Sequence, residues 1–206
     1  MGQVKTAPDS RLERVIVALV YAAWQRELPL SQTRLMKLLY LAELYHKELY
    51  GRRITNADFV SWTYGPYSHA VALAEEGLRE AGFIDLEPRE TARGYTARVP
   101  RPKVAVRNLQ LQDSVREVLA LVLEEWGTKT TDKLVEFAKA TVPFLIAEKG
   151  EPLDFERADV FQAIAEARRI SRSEAATLVA EHSEGALEGA RKACRSTFRP
   201  WEEAFS

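Results

Sequence analysis

The sequence predicts a mainly α fold, a helical domain that carries one small β hairpin. Apolar residues recur at three- and four-residue spacing along most of the chain, which is typical of helices with one buried face. A single stretch between Phe83 and Val99 instead has two short runs of strand-forming residues separated by a polar loop. No repeat of fixed period interrupts this pattern.

Composition and charge limit the function classes. The 206 residues are 46% hydrophobic and 29% charged, with a formal net charge of −1, as in ordinary globular proteins. The one cysteine, Cys194, excludes an internal disulfide and indicates a reducing compartment. No apolar run is long enough to span a membrane, and the first residues are charged where a signal peptide needs an apolar stretch. We therefore expect a cytoplasmic protein without a membrane partner.

The first two helices have clear start and stop signals. Residues 1–8 are expected to be a loose tail, and Asp9 or Ser10 precedes a helix that ends before Pro29. Its buried face is predicted to contain the apolar residues Leu12, Val15, Ile16, Leu19, Val20, Ala23 and Trp24. Ser31 is the predicted cap of the second helix, and Gly51 is its predicted stop.

A turn and a third helix follow a short aromatic connector over residues 53–63. Gly65-Pro66 predicts a tight turn, with Pro66 at the first position of a helix that runs to Ala81 and stops at Gly82. Leu35, Leu38, Leu39, Ala42, Val71 and Leu78 are predicted to pack together as the core of these two helices. Beyond the hairpin, further helices are expected over about 108–126, 129–140, 143–149, 155–169 and 171–195.

The stretch from Arg34 to Ile84 resembles the Panacea domain, a family of SocA-like antitoxins. The resemblance lies in a Leu-x-Lys-Leu-Leu-Tyr-Leu-Ala helix that begins at Leu35, an aromatic connector, and the Tyr64-Gly65-Pro66 turn with its following helix. It covers about residues 30–165, so the chain divides into a Panacea-like domain over 1–165 and a C-terminal helix and tail over 166–206. Many members have Val-Val-Pro after Gly-Pro, whereas this chain has the variant Tyr67-Ser68-His69.

The resemblance implies a non-enzymatic, phage-associated or bacterial interaction protein that neutralises a toxin protein, with no cofactor and no catalytic residue. Tyr and Trp bury much area at little entropic cost, and arginine often joins them at binding hot spots. The predicted partner-binding residues are Trp62, Tyr64, Tyr67, Arg52 and Arg53. Core packing is the alternative for the aromatic residues, and it is favoured for Phe59 and Trp62.

The second hypothesis is a winged-helix-like DNA-binding transcriptional regulator. The hairpin follows a helix and is rich in cations, which in a wing contact phosphates. The candidate DNA-binding residues are Arg89, Arg93, Arg98, Arg101 and Lys103. The alternative is a solvated hairpin whose charges prevent edge-to-edge pairing. If the hairpin projects from the helical body, Arg93 and Arg98 are expected to be exposed.

Neither a catalytic constellation nor a metal cluster is evident. His46, His69 and His182 are far apart, and His46 is expected to be a satisfied packing residue. Ser68 and His69 are adjacent on a helix and so point about 100° apart, which argues against a nucleophile and its base. The C-terminal Phe198 and Trp201 are candidates for docking or for homodimer formation through the C-terminal helix and tail.

Overall fold

The computed structural model describes residues 4–90, 94 and 96–157. The predicted fold class is confirmed, because about half of these residues are helical and the hairpin is present. The helices are α1 (Arg11–Gln25), α2 (Gln32–Tyr50), α3 (His69–Glu80), α4 (Asp113–Trp126), α5 (Thr131–Ala140) and α6 (Val142–Leu145), followed by a 3-10 turn, Phe155–Arg157. The strands are β1 (Val4–Thr6), β2 (Ile84–Glu90), β3 (Thr96–Pro102) and β4 (Ala105–Arg107).

Helix α2 is the centre of the fold. It contacts α1, α4, α5 and β3, and every residue from Arg34 to His46 is buried. Ser31 caps it as predicted, since its hydroxyl accepts a hydrogen bond from the amide of Arg34, and Gly51 ends it with φ +69°. The six predicted core residues are all buried in one apolar cluster. A helix buried on all sides must also satisfy its polar residues internally.

The buried polar side chains of α2 do this by binding the backbone of neighbouring connections. Arg34 donates to the carbonyls of Trp126 and Gly127 at the end of α4. His46, which is a satisfied packing residue as predicted, contacts the carbonyl of Arg52 through Nδ1 and the hydroxyl of Ser114 through Nε2. These hydrogen bonds join the connections to the central helix.

For residues 4–8, the expectation of a loose tail is wrong. Residues Val4–Thr6 form β1, which pairs in parallel with β4, and the amide of Ala7 donates to the carbonyl of Arg107. The ammonium of Lys5 also donates to the carbonyl of Ala81. A three-residue strand that pairs a hundred residues away leaves no periodic signal of its own.

Two predictions about the helices also need correction. Trp24, which was placed on the buried face of α1, is 53% exposed and packs beside Tyr21. The helix expected from residue 108 begins only at Asp113, because Asn108 and Gln110 have left-handed backbone angles that an α-helix excludes. The expected helix over 143–149 is the single turn Val142–Leu145.

The hairpin is longer than predicted. Strands β2 and β3 pair antiparallel from Ile84 with Pro102 to Glu90 with Thr96. Its base is buried, because β3 packs on α1 and α2, whereas residues 87–90 are exposed. Helix α3 ends just before it, as predicted: Gly82 has φ +71°, and the amides of Gly82 and Phe83 donate back to Arg79 and Leu78.

Candidate partner-binding surface

The Tyr-Gly-Pro turn closes a short antiparallel pair. Val60 and Tyr67 exchange both backbone hydrogen bonds, at 2.7 and 3.0 Å, and the amide of Gly65 donates to the carbonyl of Trp62 at 3.0 Å. Gly65 has φ +87°, a conformation that favours glycine. The predicted tight turn is therefore present in residues 62–65.

The prediction that Pro66 begins the helix is wrong. Helix α3 starts at His69, and its cap is the buried Ser68, whose hydroxyl accepts from the amide of Val71. The backbone of Tyr67 pairs with Val60, so residues 66–68 stay extended and cannot join the helix. The role of Ser68 as a cap also leaves its hydroxyl engaged, while the neighbouring His69 is exposed.

A buried lysine holds the turn from below. The Nζ of Lys37 on α2 donates to the carbonyl oxygen of Pro66 at 2.8 Å. A β-carbon added to Gly65 would lie 3.2 Å from Cε of Lys37 and 3.4 Å from Cγ of Lys139. Burial, reinforced by the nearby charge of Lys139, lowers the pKa of Lys37 to about 8. The turn is thus supported by a hydrogen bond from an ammonium with little access to water.

The connector is held on its other side by residues 150–153. Ser61 donates to the carbonyl of Glu151 at 2.9 Å and accepts from the amide of Gly150 at 2.7 Å. Phe59, which was predicted to be a core residue, is buried and packs against the rings of Tyr40 and Phe155. The connector therefore runs as an extended segment between the turn and residues 150–153, and Phe59 anchors it against Tyr40 of α2.

Large apolar side chains project from this rigid frame. Trp62 is 48% exposed and Tyr64 is 73% exposed, so the core alternative for Trp62 is wrong. The ammonium of Lys149 lies 5.6 Å from the centre of the Trp62 ring. Leu145 and Ile146, a few residues before Lys149, are also largely exposed. We call Trp62, Tyr64, Tyr67 and Lys149 the aromatic surface, since Tyr67 lines a groove together with Trp62.

A shallow groove adjoins the aromatic surface. It has a volume of about 320 Å³ and is lined by Asp58, Val60, Trp62, Tyr67, His69 and Ala70. Ala70 and the exposed Leu73 are three residues apart on α3 and therefore share a helix face. The half-buried Tyr67 forms part of the wall, so one predicted binding tyrosine, Tyr64, lies within the turn and the other directly follows it.

The two arginines predicted to join this surface make contacts within the domain. Arg53 is partly buried: its guanidinium stacks 3.8 Å from the ring centre of Phe155, donates to the carbonyl of Ala57 and pairs with the buried Glu43 at 3.5 Å. Glu43 also accepts from the amides of Ile54 and Thr55 at 2.7 and 2.9 Å. Arg52 is exposed and donates to Gln112 at the start of α4.

Burial is the main influence on the Glu43 carboxyl and raises its pKa, while its hydrogen bonds and Arg53 act in the opposite direction. The side chains of Glu43 and Lys37 were not selected by sequence reasoning. Both are charged residues within an otherwise apolar stretch of α2, and this pattern could have identified them as buried polar residues.

Carboxylates on the hairpin face part of its positive charge. Arg89, Arg98 and Lys103 are exposed, but Arg101 pairs with Glu87 on the opposite strand at 2.9 Å. Asp85 also faces Arg101 in the strand register. Arg93 lies outside the described residues, as do Cys194, His182 and the Phe198–Trp201 tail. Cross-strand carboxylates thus offset part of the positive charge.

Within residues 4–90, 94 and 96–157, no group of three or more His, Cys, Asp or Glu side chains is placed to hold a metal ion. No helix in this part of the chain is long and apolar enough to cross a membrane. The arrangement presents exposed aromatic side chains on a turn that is hydrogen-bonded to the central helix.

Comparison with known families identifies the class of protein. The sequence profile described as antitoxin SocA-like, Panacea domain, matches residues 35–142, just over half of the chain. The match includes α2, the connector, the turn and the helices to α5, so the chain belongs to this family. Neither the curated proteins nor the solved structures contain a significant match.

Proposed function

We propose that this chain is a cytoplasmic antitoxin that neutralises a toxin protein by binding it, without catalysing a reaction. The observation that supports this most directly is the aromatic surface, whose three aromatic side chains lie at the Tyr-Gly-Pro turn in the family-matched region. Affinity at protein interfaces is concentrated in a few such anchors. A preformed turn also avoids the cost of ordering a loop on binding.

Charge around the aromatic surface supports a partner with acidic groups. Lys139 lies beside the turn and Lys149 lies over Trp62. Among the described residues, neither ammonium forms an ion pair with a carboxylate. A partner surface with an acidic side chain between exposed apolar groups would complement both the two ammonium groups and the aromatic side chains.

The test is a binding titration combined with a toxicity assay, using the protein encoded by the adjacent gene. The proposal expects a stable complex and recovery of growth when both proteins are expressed together. A neighbour that is not toxic alone, or a toxin that neither binds the chain nor is neutralised by it, would contradict the proposal.

DNA binding through the hairpin remains a second candidate, favoured by the exposed Arg89 and Arg98 on its outer half. If it applies, duplex binding weakens steeply with salt and is lost when Arg93, Arg98 and Arg101 are neutralised together. Neutralising the exposed Arg79 on α3 is the control. Homodimer formation through the C-terminal helix and tail also remains a prediction and is tested by sedimentation of the full chain.

A further inference from the structure

Three elements bring two arginines to one point, away from the aromatic surface. Arg11 is the first residue of α1, Arg52 follows the left-handed Gly51 that ends α2, and Gln112 is the residue before α4. The amide oxygen of Gln112 accepts hydrogen bonds from Arg52 at 3.0 Å and from Arg11 at 3.4 Å. All three side chains are exposed, so the point is open to solvent.

The charge of this cluster is not compensated locally. Neither Arg11 nor Arg52 has a carboxylate within ion-pair distance in the described part of the chain, and both use a neutral oxygen as their acceptor. Their fields reach the nearby His46, whose pKa is lowered first by burial and then by the charges of Arg52 and Arg11. Two guanidiniums that share one neutral acceptor repel each other, and an anion between them would remove that repulsion.

The backbone of the cluster is fixed before any ligand binds. His46 holds the carbonyl of Arg52 at 2.6 Å, and Nε2 of the same ring contacts Ser114 in the first turn of α4. The side chain of Gln112 does not cap α4, and the positive end of the helix adds to the potential of the arginines. Asp113, which pairs with Arg116 at 3.7 Å, is the acidic residue in that first turn.

We propose that Arg11, Arg52 and the start of α4 form a binding site for a phosphate group, which replaces the amide oxygen of Gln112 as the acceptor shared by the two arginines. A phosphate matches the planar donor fork of arginine, and its several oxygens can serve two guanidiniums at once. A single carboxylate has fewer acceptor sites and half the charge of a phosphate dianion. This inference does not depend on the antitoxin proposal.

The direct test is an NMR titration of the full chain with inorganic phosphate at constant ionic strength, with acetate as the control anion. We expect saturable shifts at the Arg11 and Arg52 guanidinium resonances with phosphate, at least tenfold weaker binding of acetate, and an upward shift of the His46 pKa as the dianion offsets the two cations. Shifts that do not saturate, or equal binding of acetate, would overturn the proposal.

Substitutions distinguish phosphate binding at this site from nonspecific attraction to surface charge. Arg11→Gln and Arg52→Gln should each weaken phosphate binding at least tenfold, whereas Arg79→Gln, at an exposed arginine on α3, should not change it. Gln112→Glu places a carboxylate between the arginines and should abolish phosphate binding without lowering the melting temperature. Unchanged binding in the Arg11→Gln/Arg52→Gln double variant or in Gln112→Glu would contradict the assignment.

A second arm of the experiment identifies the source of the phosphate. The wild type, Arg52→Gln and Arg79→Gln are each titrated with a short DNA duplex. If Arg52→Gln binds the duplex more weakly than Arg79→Gln does, the phosphate belongs to a nucleic-acid backbone. If the two variants bind the duplex equally while the wild type binds inorganic phosphate saturably, the ligand is a small phosphorylated molecule. Both results support the site, and the absence of saturable phosphate binding overturns it whatever the duplex shows.

Discussion

The ammonium of Lys37 lies 2.8 Å from the carbonyl oxygen of Pro66 and donates a hydrogen bond to it. This bond joins the two parts of the sequence pattern by which the chain resembles its family, the Leu-x-Lys-Leu-Leu-Tyr helix and the Tyr-Gly-Pro turn. The exposed Trp62 and Tyr64 stand on the turn that the bond supports. The position of the aromatic surface is therefore set from the core of the domain.

Lys37 should make stability depend on pH in the alkaline range. Its pKa falls from 10.5 to about 8 on folding, so between these values the unfolded chain binds more protons than the folded chain. The cost of burying the ammonium is fully present below pH 8 and is lost as the pH rises to 10.5. The free energy of unfolding of the wild type, relative to Lys37→Met, should rise by about 2–3 kcal/mol over that interval.

Urea unfolding of both proteins at several pH values between 7 and 10.5 measures this difference, and titration of the other lysines and tyrosines largely cancels in the comparison. A difference that stays constant over the interval would mean that Lys37 is not held as a buried ammonium beneath the turn.

Gly65→Ala should destabilise the domain more than Gly150→Ala. Both glycines have positive φ, at +87° and +92°, so both substitutions carry the backbone strain of about 1–2 kcal/mol. Only at Gly65 would the new methyl group press on Lys37, since nothing lies within 4 Å of a β-carbon at Gly150. Thermal melts should show an excess cost of about 1 kcal/mol at Gly65. Equal costs would show that Lys37 yields freely.

Leu39→Ala should lower the free energy of unfolding by about 2–5 kcal/mol, because it opens a cavity in the centre of the core. Leu73→Ala, at an exposed leucine on α3, is the matched control and should cost under about 0.5 kcal/mol. Reversible denaturant melts measure both. A cost for Leu39→Ala below that of the control would contradict the assigned helix face.

Periodicity located the helices and their buried faces because those signals are local. It identified Leu35 and Leu78 as core residues, and Gly51 and Gly82 as stops. It missed β1, which depends on pairing with residues 105–107, and it misplaced the start of α3, because the pairing of Tyr67 with Val60 is tertiary.

At the candidate site, too, the sequence predicted what depends on neighbouring residues and missed the contacts between distant ones. Tyr64 was selected from the sequence as a partner-binding residue, and its side chain is 73% exposed. The internal contacts of Arg53 were not foreseen, since Glu43 and Phe155 come to it from distant parts of the chain. Lys149 could not be joined to Trp62 from sequence alone, because residues 150–153 reach the connector only in the folded domain.

The central claim is that the aromatic surface binds the toxin. The most direct measurement is a calorimetric titration of the toxin with each of four variants. Three change the surface, namely Trp62→Ala, Tyr64→Ala and Tyr67→Ala, and the fourth, Trp24→Ala, is the control. Trp24 is about as exposed as Trp62 but lies on α1, so it reports the effect of losing any surface tryptophan. We predict that the three surface variants weaken binding by about 2 kcal/mol each, with melting temperatures close to wild type for Trp62→Ala and Tyr64→Ala, while Trp24→Ala binds normally. Unchanged affinity in the three surface variants, or an equal loss in Trp24→Ala, would contradict this account.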